Sequence, residues 1–388
     1  MKKPLSIYVH FPYCEIKCPF CNLNAWEEKK FDENAYTRAI RDELKALTSE
    51  MPELLSHYEV KTVFIGGGTP SLFSARAVGG VLEFLAGEFE ISNSAEISLE
   101  SHPASCGREK MRGFYTAGIN RLSIGAQSFS SEKLKSLGRE HEARLCFEAF
   151  ENAQSAGFQN ISADIIAGAA GETPQAFEKD IKTAAATGVP HISVYGLEIE
   201  RGTQFYALAK KGLLKTPSDE DCAQMIEIAA ECLSAMERYE ISSFAAPDAH
   251  CRHNINYWRS GDYIGLGAGA HSHMTVRDAP FGLRWANPRN PREYMEQTAR
   301  GKTAPRQALD AETGFCDCVM MGLRLADGMD LADAEKQFGV RVDVHALEKL
   351  ENNGLIRREN GAVKITEKGF VLANSVIVEI TGKTKPGE

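Results

Sequence analysis

Cys14, Cys18 and Cys21 bring three thiols into a span of eight residues near the start of the chain, in the order Cys-x3-Cys-x2-Cys. Thiolates are soft donors that suit zinc or an iron-sulfur cluster. Three of them are one short of a closed structural zinc site, and His10 is the candidate fourth ligand. With a 4Fe-4S cluster the same three leave one iron open, where a molecule carrying an amine and a carboxylate can chelate. The other seven cysteines (Cys106, Cys146, Cys222, Cys232, Cys251, Cys316 and Cys318) are scattered. Residues 1–12 have no long apolar core and no small-residue cleavage site, so free thiols in a reducing cytoplasm are expected rather than a disulfide framework.

A second unusual segment is Gly66-Gly67-Gly68-Thr69-Pro70. Glycine lacks Cβ and tolerates positive φ, so this run lets a backbone approach a ligand closely, with the Thr69 hydroxyl beside it. Glu100, Gln127, Asp164 and Glu198 are polar residues at or near the ends of further β-rich runs.

The elements that must position these groups alternate. Short β-rich runs at 6–10, 62–65, 96–100, 121–124, 160–166 and 191–195 are mostly separated by helical periodicity at 34–47, 78–85, 143–156 and 174–186. That order predicts an α/β fold with a parallel sheet, either doubly wound or a partial (β/α)6 TIM-like barrel, with chemistry at the carboxyl ends of the strands. A long helix over 219–239, one more strand over 240–244 and a Gly-rich stretch at 265–269 follow. A linker is expected near 303–306, then a winged-helix-like domain with a helix over 344–353 and a hairpin turning at Asn360-Gly361. The expected units are 1–240, 241–304 and 305–388.

The 388 residues are 43% hydrophobic and 25% charged, as in an ordinary globular protein, and the net charge of −9 gives no general basic excess. No nucleic-acid partner is expected, because Lys349, Arg357, Arg358, Lys364 and Lys368 are interleaved with Glu348, Glu351, Glu359 and Glu367.

Tyr8-Val-His10-Phe-Pro-Tyr-Cys14-x3-Cys18-x-Phe20-Cys21, followed by the GGGTPS segment, resembles the radical S-adenosylmethionine enzymes related to oxygen-independent coproporphyrinogen oxidase. The resemblance covers nearly the whole chain. It implies a partial (β/α)6 barrel with a 4Fe-4S cluster on Cys14, Cys18 and Cys21, whose open iron binds the amine and carboxylate of S-adenosylmethionine. An electron from the reduced cluster then yields a 5'-deoxyadenosyl radical in that family. It further implies that Tyr8, Phe20, Gly67, Gly68, Thr69, Glu100, Gln127, Arg139 and Asp164 contact S-adenosylmethionine. Ser101-His102-Pro103 departs from the Ala-Asn-Pro common among relatives.

Oxidases of this family resemble Cys-x3-Cys-x2-Cys-x-Cys, and here the last place is Leu23. Asn22-Leu-Asn24-Ala, together with His253-Asn254-Ile-Asn256-Tyr257-Trp258, instead resembles the heme-chaperone branch. That branch implies heme as cargo, membrane hemoproteins as clients and a homodimer as one arrangement, and it assigns no catalytic residue. The alternatives are coproporphyrinogen III oxidation to protoporphyrinogen IX, a related radical methyl transfer, and a zinc-stabilised binding protein. His253 is the candidate heme ligand, set against a purely packing role for the segment. The Gly265–Gly269 run lacks the acidic residue of a dinucleotide loop, and His271-x-His273 reads as polar packing rather than a metal site.

Overall fold

The computed structural model describes residues 2–139, 141–382 and 384–386. Six strands alternate with six helices along the first half: β1 (Lys3–Phe11), α1 (Glu33–Glu50), β2 (Tyr58–Gly67), α2 (Ala75–Glu88), β3 (Ile91–Ser101), α3 (Arg108–Thr116), β4 (Arg121–Gln127), α4 (Arg144–Ala156), β5 (Asn160–Ala167), α5 (Pro174–Ala186), β6 (His191–Gly196) and α6 (Asp219–Cys232). β1 to β6 pair in parallel and in sequence order, as a partial (β/α)6 barrel requires. Beyond β1 the sheet continues through β7 (Tyr263–Leu266), β8 (His271–Val276) and β9 (Ala279–Ala286), and beyond β6 through Ser243–Ala245 and Glu237–Arg238. Among the described residues no pairing joins its two edges, so the barrel is open.

Strand alternation gives this sheet two faces of different chemistry. Leu5, Ile7, Val9, Val63, Ile65, Leu99, Leu122, Ile124, Ile161, Ala163, Ile192 and Val194 are buried in the main apolar core, which also contains the inward stripes of the helices. The intervening residues are polar and stand in register: Ser6 beside Thr62 and Thr62 beside Glu96, Glu100 beside Ser123, Ser123 beside Ser162, Ser162 beside His191, and Asp164 beside Ser193. Side-chain caps start the helices where the sequence provides them, Asp32 for α1, Ser74 for α2 and Thr173 for α5.

The expected helix over 219–239 ends at Cys232. Helical periodicity loses there to tertiary pairing: Arg238 lies in a short strand beside Phe244, and its guanidinium bonds the Ile241 carbonyl and Glu367 and lies 4.4 Å from the Phe370 ring centroid. The strand expected over 240–244 forms at Ser243–Ala245.

A second core runs from Phe315 to Ile380. Its hairpin, Ile356–Glu359 with Ala362–Ile365, turns at Asn360 (φ 52°) and Gly361 (φ 87°), the positive pair that a tight two-residue turn needs. Lys349, Arg357, Arg358 and Lys364 each pair with a glutamate. Among the described residues no helix is long and apolar enough to cross a membrane.

Candidate cofactor site

The three thiols hang from the carboxyl end of β1 on a loop that the backbone holds closed. Trp26 N–H donates to the Pro12 carbonyl (2.7 Å), Glu28 N–H to Cys14 (2.9 Å) and Cys21 N–H to Cys18 (3.0 Å). Asn24 ties the loop to distant parts of the chain, its Nδ2 donating to the Ala268 and Arg289 carbonyls at 2.9 Å each. On the sulfurs themselves, Thr69 Oγ1 donates to Cys14 Sγ (3.4 Å) and Arg139 donates to Cys18 Sγ (3.3 Å). Burial pushes the Cys14 thiol up to about 11, against the pull of Thr69, and burial raises Cys21 as well. Such thiols ionise readily only beside a cation, and coordination to a metal supplies one.

The glycine segment docks under this loop. Gly68 N–H donates to the Phe11 carbonyl and Thr69 N–H to that of Tyr13. A Cβ on Gly68 would stand 2.7 Å from the carbonyl oxygens of both Pro12 and Tyr13. Gly68→Ala should therefore destabilise the fold by about 1–3 kcal/mol through overpacking against rigid backbone, read as a lower urea midpoint, whereas an unchanged midpoint would mean that the loop moves aside freely.

Tyr8, Cys14, Cys18, Phe20, Cys21, Gly67, Gly68, Thr69, Glu100, Gln127, Arg139, Asp164 and His253 all line one cavity of about 1610 Å³ at the carboxyl ends of the strands. Every residue the sequence assigned to the cluster, to S-adenosylmethionine or to heme is thus on its wall. Glu100 accepts from Gly67 N–H (2.9 Å); burial pushes its carboxyl up to about 7, Gly67 draws it back and Asp164 raises it further. Asp164 accepts from Ser123 (2.7 Å) and Ser162 (3.0 Å), and burial raises it too. Arg139 spans from Cys18 to the Gly125 carbonyl (2.8 Å). Gln127 sits at φ 64°, a left-handed conformation at the end of β4.

Three expectations are corrected. His10 is no zinc ligand: Tyr8 OH is 2.9 Å from its Nδ1, the Asn24 carbonyl is 2.9 Å from its Nε2, and it is not on the cavity wall. His253 is on the wall but its ring is engaged at both nitrogens, Nδ1 with Thr62 (2.7 Å) and Nε2 with Tyr257 (2.9 Å). Burial lowers its pKa to about 3, so it is a neutral, fully bonded imidazole with no lone pair free for iron. Glu198 is exposed and off the cavity. Among the described residues no three His, Cys, Asp or Glu side chains gather as one metal ion requires. Three sulfurs on a single cavity wall, each a separate donor, fit a multi-iron cluster with one open corner.

The Gly265–Gly269 run serves packing. Gly267 N–H donates to buried Glu43, and a Cβ there would stand 2.4 Å from the His10 carbonyl oxygen. Arg121, 2% exposed on the cavity wall among Glu96, Asp164 and Cys251, was missed, as were Ser123 and His191. The signal for most of them is period-two polarity inside the strands, such as Arg121, Ser123 and Gln127 in β4.

Residues 8–184 match the family model described as the radical SAM superfamily, and residues 317–372 match the HemN C-terminal domain. The chain is 31% identical over 386 residues to the heme chaperone HemW of Bacillus subtilis, covering 97% of this chain and 99% of that one. It is 33% identical over 378 residues to the heme chaperone HemW of Escherichia coli K12, covering 96% and 97%. Among solved structures it resembles the coproporphyrinogen III oxidase HemN of Escherichia coli, a radical SAM enzyme, with a TM-score of 0.80 at 23% identity over 97% of this chain and 90% of that one.

Proposed function

Because the chain belongs to the radical SAM superfamily, in the family of the heme chaperone HemW, we propose that it holds a 4Fe-4S cluster on Cys14, Cys18 and Cys21, binds S-adenosylmethionine beside it, and binds heme for delivery to client hemoproteins at membranes. The reading is supported above all by the convergence of the three cysteines and the Gly67-Gly68-Thr69 segment on one cavity. When bound and reduced, the cluster supplies the electron that cleaves S-adenosylmethionine. The chain's own residues bind and orient. Gly67 and Gly68 let this segment dock directly under the cysteine loop, where a Cβ would strike the carbonyls of Phe11, Pro12 and Tyr13. Glu100 and Asp164 accept hydrogen bonds from an amine or ribose hydroxyls, Gln127 offers an amide, and Arg139 pairs with a carboxylate while holding the Cys18 sulfur. Tyr8, Phe20 and the buried strands behind them keep water from the reacting end.

Leu23 occupies the place of the oxidases' further cysteine and is 52% exposed, which favours cargo binding over porphyrinogen oxidation. Anaerobically reconstituted protein should bind hemin at about one equivalent per chain and yield no protoporphyrinogen IX from coproporphyrinogen III with S-adenosylmethionine and a reductant. Product formation, or absence of hemin binding, would overturn the chaperone reading.

A further inference from the structure

The chaperone reading requires a seat for heme, and His253 offers no free nitrogen for it. A second cavity, of about 380 Å³, lies on the other side of Tyr8 and Tyr257, which line both cavities. One wall comes from β7, β8 and β9. The other comes from the helix Ala311–Gly322 of the C-terminal core, and Trp258 closes the seam, with the Arg324 guanidinium 4.7 Å from its ring centroid. Aromatic surface dominates: Tyr257, Trp258, Tyr263, Phe281 and Phe338 all face it.

His273, on β8, lines this cavity and is half-buried; buried His141, on the wall of the first cavity, also has Nδ1 without a partner, but its Nε2 lies 3.5 Å from Cys146 Sγ. His10, His191 and His253 each have both ring nitrogens hydrogen-bonded. His273 has no hydrogen-bond partner among the described residues, and its Nδ1 is buried without one. Nδ1 lies against Gly282, and Nε2, which has no hydrogen bond among the described residues and is not among the buried unpaired atoms, is the nitrogen left for a ligand. Trp258 Nε1, on the same cavity, is buried and unpaired. The His273 ring stacks on Tyr263 at 6.2 Å, which fixes its plane. Burial and the Arg284 charge both lower its pKa, so it is a neutral imidazole, the form that ligates metals. Arg284, held 2.6 Å from Asp317, and Arg259 add cationic groups to the lining, and Cys318 and Met321 present sulfur from the helix side.

A ligand that used this lining would be flat and apolar against the rings, anionic toward Arg259 and toward Arg284 in competition with Asp317, and Lewis-acidic at the unpaired imidazole. We propose, resting on the chaperone reading, that this second cavity is the heme seat, with His273 the axial ligand of the iron and Arg284 and Arg259 the partners of the propionates. The shared wall of Tyr8 and Tyr257 then sets the cargo one layer of aromatic side chains from the cofactor cavity.

The test is anaerobic hemin titration of the full reconstituted chain, followed by magnetic circular dichroism of the heme bands, in wild type, His273→Ala and His253→Ala, with metal-free protoporphyrin IX as a second probe. His273→Ala should weaken hemin at least tenfold and shift its bands, added imidazole should restore them, and metal-free porphyrin should bind as in wild type. The axial signature of His253→Ala should match wild type. Wild-type hemin bands and affinity in His273→Ala would overturn the seat while leaving the chaperone reading standing, as would loss of the axial signature in His253→Ala with an unchanged melting transition. A wild-type chain that bound no hemin would instead overturn the chaperone reading, and this proposal with it.

Discussion

Alanine at Cys14, Cys18 or Cys21 should leave the anaerobically reconstituted protein with less than about a tenth of the wild-type iron and sulfide, because two thiolates are too few to retain a four-iron cluster. The three sulfurs do not carry the fold: they sit on a loop held by backbone bonds and by Asn24, outside the main core apart from its edge. Thermal unfolding of each variant, measured without metal, should therefore stay within a few degrees of the wild type. Iron and sulfide analysis with that melting control separates loss of a ligand from loss of structure. Full retention of iron and sulfide by the triple alanine variant would end the assignment of this loop as the cluster site.

The second large effect is expected at Lys133, which is buried between two carboxylates. Its Nζ lies 3.1 Å from Asp180 Oδ2 and 2.6 Å from Glu172 Oε1, the latter close as an ion pair although not aligned as a hydrogen bond. Asp180 also accepts from the Ser128 hydroxyl and Phe129 N–H, and Glu172 from the N–H groups of Gly168 and Ala169. This one cation thus joins the loop after β4 to the loop after β5, beside Gln127 and the pocket under Phe20. Lys133→Met leaves two buried carboxylates facing each other and should cost about 3–5 kcal/mol, measured as the shift in urea unfolding. Adding Glu172→Gln to Lys133→Met should recover part of that loss. A single-variant shift below about 1 kcal/mol would show that the pair carries little of the local stability.

Much of the site was legible in the sequence because its donors are concentrated in short segments at strand ends, where the parallel topology brings them together. The six strands form where β-rich runs predicted them, the first four lengthened by several residues and the last two by one, and α5 forms at the predicted residues. Arg121 escaped because a charged residue opening an apolar run reads as a surface boundary, and only the register beside Ser98 turns it inward. The engagement of His253 and the isolation of His273 were illegible for a related reason. His253 is engaged by Thr62, which a distant strand presents, and by Tyr257 one turn along its own helix, whereas no hydroxyl reaches His273. The end of the long helix at Cys232 depended on Arg238 finding Glu367, 129 residues away.

β1 lies in the interior of the sheet, paired on one side with β2 and on the other with β7, whose first residue is Tyr263. Its cysteine loop is likewise anchored through Asn24 to Ala268 and Arg289. β1 is thus flanked on both sides only once residues 263–266 are in place, and its cysteine loop is fully anchored only once residue 289 is. A cluster seated on that loop would therefore gain its full backing only after these later strands have joined the sheet, which couples metal loading to completion of the fold rather than to formation of the thiol loop alone.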